Sequence, residues 1–183
     1  MPQGFSRLLP VLMTLAVVGV VGFWAWNGLK SPPLSQSRGI ITTPAGWQRI
    51  DEGSFSLYAP KGSAIRQAEQ GGLTYGDILG PNTCLNYRVG AKAAIVADRR
   101  THARYTETPM TVDGHQGVLR KAVLNDTERY QWFSQCNGTI YIGLLVPHAL
   151  SDGASLAIEG TALSEDERDQ IETIFKSVRF ASK

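Results

Sequence analysis

The chain has 183 residues, and its 18 Lys and Arg against 16 Asp and Glu give a net charge of +2. This length suits one domain with an anchor. A nearly balanced charge without a dense basic stripe argues against a dedicated nucleic-acid-binding protein. The sequence also lacks a phosphate-binding glycine loop, a nucleophile elbow and a helical metal-binding motif. We therefore expect no cofactor, no metal and no nucleic acid.

The N-terminal block Leu8–Trp26 contains no charged side chain. About 20 apolar residues cross a bilayer, whereas a cleavable signal has an apolar core of about 7–15 residues followed by small residues. This block ends instead in the bulky Phe23, Trp24 and Trp26. It predicts a transmembrane signal anchor over residues 8–26 after a short tail, residues 1–7. A cleaved signal peptide is the alternative.

Residues 27–44 are rich in Pro, Ser and Gly and predict a linker, which leaves residues 45–183 as the globular domain. The positive charges that flank the span nearly balance, so they do not decide its orientation. Because a very short tail precedes the span and the domain follows it, we expect export of the domain. The predicted location is the inner membrane, with a single span and a periplasmic C-terminal domain.

Short apolar runs between Gly and Pro breakers predict strands in the first half of the domain. The predicted strands are Phe55–Ala59, Leu73–Leu79 and Leu85–Val89, with Ala93–Ala97 continuing the sheet. The polar segment Asp98–Tyr105 predicts a short helix or a loop.

Two turn signals organise the second half. Asp113-Gly114 predicts a hairpin between Met110–Val112 and Gly117–Leu124. Asn137-Gly138 predicts another hairpin, between Tyr130–Cys136 and Thr139–Val146. A further strand is expected over Ala154–Glu159.

The second predicted hairpin has a definite register. A two-residue turn at Asn137-Gly138 would pair Cys136 with Thr139, Ser134 with Tyr141 and Trp132 with Gly143. One face then holds Trp132, Tyr141 and Leu145, and the other holds Phe133, Ile140, Ile142 and Leu144. Apolar side chains on both faces indicate a central hairpin that is covered on both sides. Asn137-Gly138-Thr139 also matches a glycosylation sequon, but we prefer the turn interpretation.

The C-terminal segment predicts a capped amphipathic helix. Ser164 and Glu167 have the spacing of a capping box. Apolar residues then recur at helical spacing at Ile171, Ile174, Phe175 and Val178, so one face must be buried. The predicted fold class is α+β, with an antiparallel β-sheet meander packed by this helix.

The chain has two cysteines, Cys84 and Cys136, both beside predicted turns at strand ends. The absence of a C-x-x-C motif excludes a thioredoxin-like redox site. In an oxidising compartment we expect a disulfide between them. Two unpaired, partly buried thiols are the alternative.

Candidate binding residues are few. Arg99, Arg100 and Arg104 form the one local basic cluster and could face phosphates of lipid headgroups or an acidic protein partner, although we prefer the interpretation as a solvated polar connection. The histidines, His102, His115 and His148, are expected to be ordinary surface or turn residues. Trp47 and Trp132 are expected to be core or rim aromatic residues.

Several short motifs resemble those of one protein group. They are Gly53–Pro60, Tyr75–Ile78, the Leu85-x-Tyr87-x-x-Gly90 pattern, Val112–Gly114 and the helix end Ile174–Phe180. In this order they resemble the small bacterial envelope proteins of the PsbP-like and DcrB-like group. Pro60 is followed by Lys61-Gly62 rather than the Gly-Trp common in such domains. The resemblance implies a sheet sandwiched by helices and a partner-binding, non-enzymatic role, and it implies no catalytic residues.

Two functions remain as hypotheses. The first is a membrane-anchored periplasmic binding or accessory domain without catalytic activity, for instance an immunity protein that blocks a toxin. Its domain would be monomeric and would have a protein partner in the envelope. The second is an envelope hydrolase with a dispersed active site, which would need a convergent nucleophile and base.

Overall fold

The computed structural model describes residues 43–97, 102–133 and 135–181. These residues form a β-rich α+β fold. The elements in chain order are β1 Trp47–Asp51, β2 Phe55–Pro60, β3 Ala64–Gln70, β4 Leu73–Gly80, β5 Thr83–Gly90, β6 Ala103–Val112, β7 His115–Val123, α1 Asp126–Trp132, β8 Ile140–Val146, β9 Ser155–Ala162, α2 Glu165–Lys176 and β10 Arg179–Phe180.

The main sheet has seven antiparallel strands in the order β3-β4-β5-β9-β8-β7-β6. It consists of two meanders, β3 to β5 and β6 to β9, which meet where β5 pairs with β9 and Tyr87 lies opposite Ile158. A smaller sheet has the order β1-β2-β10. The prediction of one continuous meander is therefore incomplete, because β5 pairs with β9 rather than with β6, the next strand in the chain.

The core lies between the main sheet, α2 and β2. We call the face of the main sheet towards α2 the inner face. The predicted helical stripe is confirmed, since Ile171, Ile174, Phe175 and Val178 are all buried. The hydroxyl of Ser177 ends α2 by donating to the Ile174 carbonyl (2.6 Å) and accepting from the Tyr58 amide of β2 (2.8 Å). That side chain thus fastens the helix end to the small sheet.

At the start of α2, one of the two hydrogen bonds of the predicted capping box forms. The Ser164 hydroxyl accepts from the Glu167 amide at 3.2 Å. The Glu167 carboxylate accepts from the Leu163 amide at 2.7 Å rather than from the amide of Ser164. The first contact satisfies an amide of the first helical turn, which has no partner within the helix, and the second satisfies the amide of the residue before the N-cap.

The predicted strand Tyr130–Cys136 is wrong, because residues 126–132 form α1. Asn125 caps this helix: its side chain accepts from the Glu128 amide, and the Glu128 carboxylate accepts from the Asn125 amide, both at 2.9 Å. This complete capping box satisfies two amides at once and starts a helix where a strand was expected. Among the described residues, Tyr141 and Gly143 pair with β7 and β9 rather than across Asn137-Gly138, and Ser134 of the predicted pairs lies outside the described residues.

β8 pairs with β7 and β9 instead. The predicted faces of β8 itself are confirmed: Ile142 and Leu144 belong to the main core, while Tyr141 packs on the opposite face. Gly138 has a different role from the predicted turn, since a Cβ there would collide with the backbone of Ala162. The glycine permits a close approach between the segment before β8 and the end of β9.

The predicted hairpin at Asp113-Gly114 is confirmed. Val112 lies opposite His115, and the two turn residues have φ of 47° and 85°. Positive φ at both positions is what a type I′ turn requires. The strands predicted over Phe55–Ala59, Leu73–Leu79, Leu85–Val89 and Ala154–Glu159 also correspond to β2, β4, β5 and β9.

Other predictions need correction. Residues 93–97 do not form a strand, because their backbone groups bond to side chains of the sheet beneath them. β1 and β3 were not predicted. β6 begins at Ala103, so the end of the predicted helix or loop Asp98–Tyr105 is a strand, while residues 98–101 lie outside the described residues.

Over residues 43–97, 102–133 and 135–181, we find no helix with both the length and the apolar character needed to cross a bilayer. The predicted tail, residues 1–7, the anchor, residues 8–26, and most of the linker, residues 27–44, lie outside the described residues. Trp47 begins β1 and packs against the core, as expected, whereas the Trp132 side chain lies outside what is described.

Candidate functional site

The face of the main sheet opposite α2, which we call the outer face, has a buried carboxylate at its centre. Glu159 lies in the middle of β9 and is 1% exposed. Its neighbours across the sheet are Asn86 of β5 and Gly143 of β8. A charge at this depth is costly unless it is paired and hydrogen-bonded.

Three donors surround that carboxylate. Glu159 Oε1 forms an ion pair with Arg88 Nη1. Glu159 Oε2 accepts from the Tyr141 hydroxyl and from the Val96 amide, each at 2.8 Å. We call Arg88, Tyr141, Glu159 and the Val96 amide the Glu159 cluster. Its members satisfy one another, which explains how the sheet tolerates the charge.

A glycine makes room for this arrangement. The Tyr141 ring lies along β8 towards Glu159, and a Cβ at Gly143 would overlap the ring and its hydroxyl. Gly143 is thus the position that lets Tyr141 reach across its own strand. Phe133 packs against Tyr141, with ring centroids 5.9 Å apart.

The segment 91–97 covers the outer face above the cluster. Ala93 and Ile95 are buried against Ala157 of β9. Polar contacts also hold the segment, since Arg88 Nη1 donates to the Ala94 carbonyl (2.9 Å) and an arginine of β7 donates to the Ala97 carbonyl (3.0 Å). The cluster therefore fastens this cover to the sheet.

The electrostatics of the cluster keep Tyr141 protonated. Burial raises the pKa of Tyr141 well above 10, the Glu159 charge and hydrogen bond raise it further, and the Ala97 amide and Arg120 only partly oppose these effects. A general base that works near neutral pH needs a pKa near that pH. Tyr141 serves here as a donor to Glu159.

The disulfide lies next to this region. Cys84 of β5 and Cys136, in the segment before β8, are bonded with their Cα atoms 5.8 Å apart. Cys136 is not at a strand end as predicted, because it follows α1 and lies in an irregular segment. The bond ties the segment after α1 to the outer face of the sheet.

A small depression of about 50 Å³ opens beside the disulfide. Its lining residues are Asp77, Leu79, Cys84, Asn86, Phe133, Gln135 and Cys136. They provide one carboxylate and two amides but no serine, histidine or lysine. Such a surface can form hydrogen bonds with a polar group, whereas a nucleophile paired with a base is not among these residues.

The predicted basic cluster is only partly visible. Arg99 and Arg100 lie outside the described residues. Arg104 is exposed near the start of β6 with φ of 51°, away from the residues of the Glu159 cluster in the sheet order. Of the predicted binding residues, only Arg104 is among the described residues, and it does not belong to that cluster.

The histidines lie apart from one another. His102 is 8% exposed, with its Nε2 3.6 Å from Glu128 Oε1, so the expectation of a surface residue is wrong there. His115 packs edge-on against Phe180, and His148 lies in a turn where its Nδ1 is 3.0 Å from the Gly153 carbonyl oxygen. Among the described residues, no group of three or more His, Cys, Asp or Glu could hold a metal.

The Glu159 cluster was not predicted from the sequence. One signal was present: Glu159 is the one charged residue of β9, whose other residues are small or apolar, Thr161 and Ser155 included. A lone carboxylate inside a buried strand indicates a buried partner. Which groups pair with Glu159 depends on the order of the strands in the sheet. The local sequence pattern does not determine that order.

Comparison of the chain with protein-family models, with curated proteins and with solved structures finds no match. The resemblance to the PsbP-like and DcrB-like group remains a prediction.

Proposed function

We propose that the chain is a single-pass inner-membrane protein whose C-terminal domain acts in the periplasm as a binding or accessory domain without catalytic activity. The observation that carries this proposal is the Cys84–Cys136 disulfide. Disulfides persist in oxidising compartments and are rare in the cytosol. An N-terminal anchor over residues 8–26 would place the domain in such a compartment.

The outer face favours binding over catalysis. The buried carboxylate of Glu159 is occupied by Arg88, Tyr141 and a backbone amide, so it supports the segment above it. The depression beside the disulfide has amides and one carboxylate on its surface. These groups suit hydrogen bonds to a partner.

The finer fold assignment belongs to the same proposal. We take the domain to be a PsbP-like sandwich in which α2 covers the inner face and the segments on the outer face form the second layer. What supports this is burial on both faces of β8 and β9. An immunity protein against a toxin delivered to the envelope is the specific version that we propose.

The test is cross-linking of the full-length protein in living cells. A photoreactive residue replaces Tyr75, which is 38% exposed on β4. The matched control places it at Leu163, which is 68% exposed just before α2. We expect one discrete envelope protein to be captured from position 75 and not from position 163. Absence of any captured protein at either position would contradict a binding role.

A further inference from the structure

The two edges of the main sheet differ. At the β6 edge, Pro109 has no amide hydrogen, the register with β7 is irregular between Ala103 and Thr106, and Arg104 has a positive φ of 51°. Proline and irregular register are features that natural sheets use to prevent pairing at an exposed edge. The β6 edge is therefore unsuited to accept another strand.

The β3 edge has none of these features. β3 pairs with β4 without a register shift, from Ala64 opposite Leu79 to Gln70 opposite Leu73. It contains no proline, and its residues from Arg66 to Gln70 are exposed. Alternate residues of an antiparallel edge strand direct their N–H and C=O groups away from the neighbouring strand. In the part of the chain that the structure describes, no strand pairs with these groups.

Two charges mark this edge. Arg66 and Glu69 are three residues apart, so their side chains project from opposite faces of β3. Arg66 lies on the outer face, opposite Asp77 of β4, whereas Glu69 lies on the inner face, opposite Thr74. An added strand would meet a positive charge on one face and a negative charge on the other.

A second copy of the chain would offer these charges no oppositely charged partner. Two copies that pair β3 with β3 antiparallel are related by a two-fold axis perpendicular to the sheet, so each residue keeps its face. Arg66 would then share the outer face with the Arg66 of the other copy, and Glu69 would share the inner face with its equivalent. The arginine of one copy could therefore never lie opposite the glutamate of the other, and any register that places like charges directly opposite each other is destabilised.

We propose that β3 is the docking edge for an extended strand of a partner protein, added antiparallel, with a basic residue opposite Glu69 and an acidic residue opposite Arg66. Because the added strand runs antiparallel, its sequence would read Lys or Arg, two residues, then Asp or Glu. Main-chain hydrogen bonds would supply affinity and the two charge pairs would fix register, as in β-strand addition generally. This inference rests on the proposed binding function.

The first test uses the full-length protein in mild detergent and the peptide Thr-Val-Lys-Thr-Thr-Glu-Val-Thr. Two further forms of the peptide carry N-methyl groups on alternate residues. In one form the methyl groups block one hydrogen-bonding edge of the peptide, and in the other form they block the opposite edge. We expect the unmethylated peptide to slow amide exchange in β3, one methylated form to bind equally well, and the other form to lose binding. Only pairing through one edge of the peptide produces that difference.

The second test exchanges the charges. In the protein with Arg66→Glu and Glu69→Arg, preference should shift by about five-fold towards a peptide in which Lys and Glu are exchanged. The matched control exchanges charges on another edge strand, with Arg49→Asp and Asp51→Arg in β1. That control should keep the original preference.

Equal binding of the two methylated forms, protection outside β3, or no binding of any peptide would overturn the inference. These outcomes are separate from the cross-linking test of the proposed function. If the photoreactive residue at position 75 captures a partner while the peptides fail, the domain binds through another surface. If both fail, the binding role itself is contradicted.

Discussion

A single carboxylate organises the outer face. Glu159 is nearly inaccessible and accepts from Arg88, Tyr141 and the Val96 amide. Removing one partner of a buried ion pair leaves the other without compensation. Because Arg88 is itself 31% exposed, water can partly replace the lost charge.

We expect Glu159→Gln to lower the free energy of unfolding by about 2–3 kcal/mol, since the amide cannot pair with the guanidinium and brings donors of its own. The control is Glu165→Gln, which removes an exposed ion pair with Arg168 and should change stability by at most about 1 kcal/mol. Urea denaturation of both variants measures the difference. Equal effects would mean that the Glu159 cluster contributes little.

At the scale of elements, an ion-pair group joins α2 to the sheet. Glu172 accepts from Lys121 of β7 at 2.7 Å and pairs with Lys176 at 2.8 Å. Burial raises the pKa of Glu172, but hydrogen bonds and charges of the two lysines outweigh it, so the pKa lies below its usual 4.5. A carboxyl group with a lowered folded-state pKa stabilises the fold above its unfolded-state pKa and loses that contribution as pH falls through the folded-state value.

We therefore expect Glu172→Gln to cost about 1 kcal/mol at pH 7, a figure reduced for partial exposure of the three side chains. The difference from wild type should shrink as the pH falls below 4.5, since the carboxyl group then becomes neutral in both states. Thermal unfolding of both proteins from pH 7 to below pH 4.5 measures this difference in stability. A difference that does not change with pH would contradict the ionic link.

The elements that could be predicted are those determined by contacts between residues close in sequence. The turn at Asp113-Gly114 and the apolar stripe of α2 are local features, and both were predicted. Two local signals competed around α1, where the capping box of Asn125 and Glu128 prevailed over the Asn137-Gly138 turn. β3 was not predicted because its residues are mostly exposed and show no apolar alternation.

Asn125→Ala should lower stability by about 1 kcal/mol, because it removes the acceptor for the Glu128 amide. Asn137→Ala is the matched control, since Asn137 is exposed and has no positive φ. It should change stability by less than about 0.5 kcal/mol. Chemical denaturation of both variants separates the two, and a larger cost at position 137 would favour the hairpin.

At the scale of the whole molecule, the site depends on contacts distant in sequence. Glu159 meets Arg88 across 71 residues and Val96 across 63. These contacts follow from the insertion of β9 beside β5, which strand patterns alone do not predict. For the same reason the sheet edges, and the difference between β3 and β6, were not foreseen.

We expect residues 45–183 to fold without the N-terminal segment, as a monomer with cooperative unfolding. The reason is that the core is built from β2, the inner face of the main sheet and α2, all within these residues. Urea denaturation and analytical ultracentrifugation of this fragment are the measurements. Aggregation or a non-cooperative transition would mean that the domain boundary is wrong.

The disulfide joins parts of the domain that are 52 residues apart in sequence. In the chain-entropy model, closing a loop of that length stabilises a fold by about 4 kcal/mol. Reduction should therefore lower the melting temperature. Cys84→Ser, Cys136→Ser and the double substitution should lower it by similar amounts, because each cysteine stabilises the fold through the same bond. Additive effects of the two substitutions would contradict that reason.

Thiol labelling in the native compartment tests the central claim most directly, since a periplasmic domain should carry this bond in the cell. The full-length protein is denatured from intact envelopes without reducing agent and treated with a maleimide polymer, before and after reduction. We expect no label before reduction and two labels afterwards, one each on Cys84 and Cys136. Two labels before reduction would contradict both the bond and the proposed location.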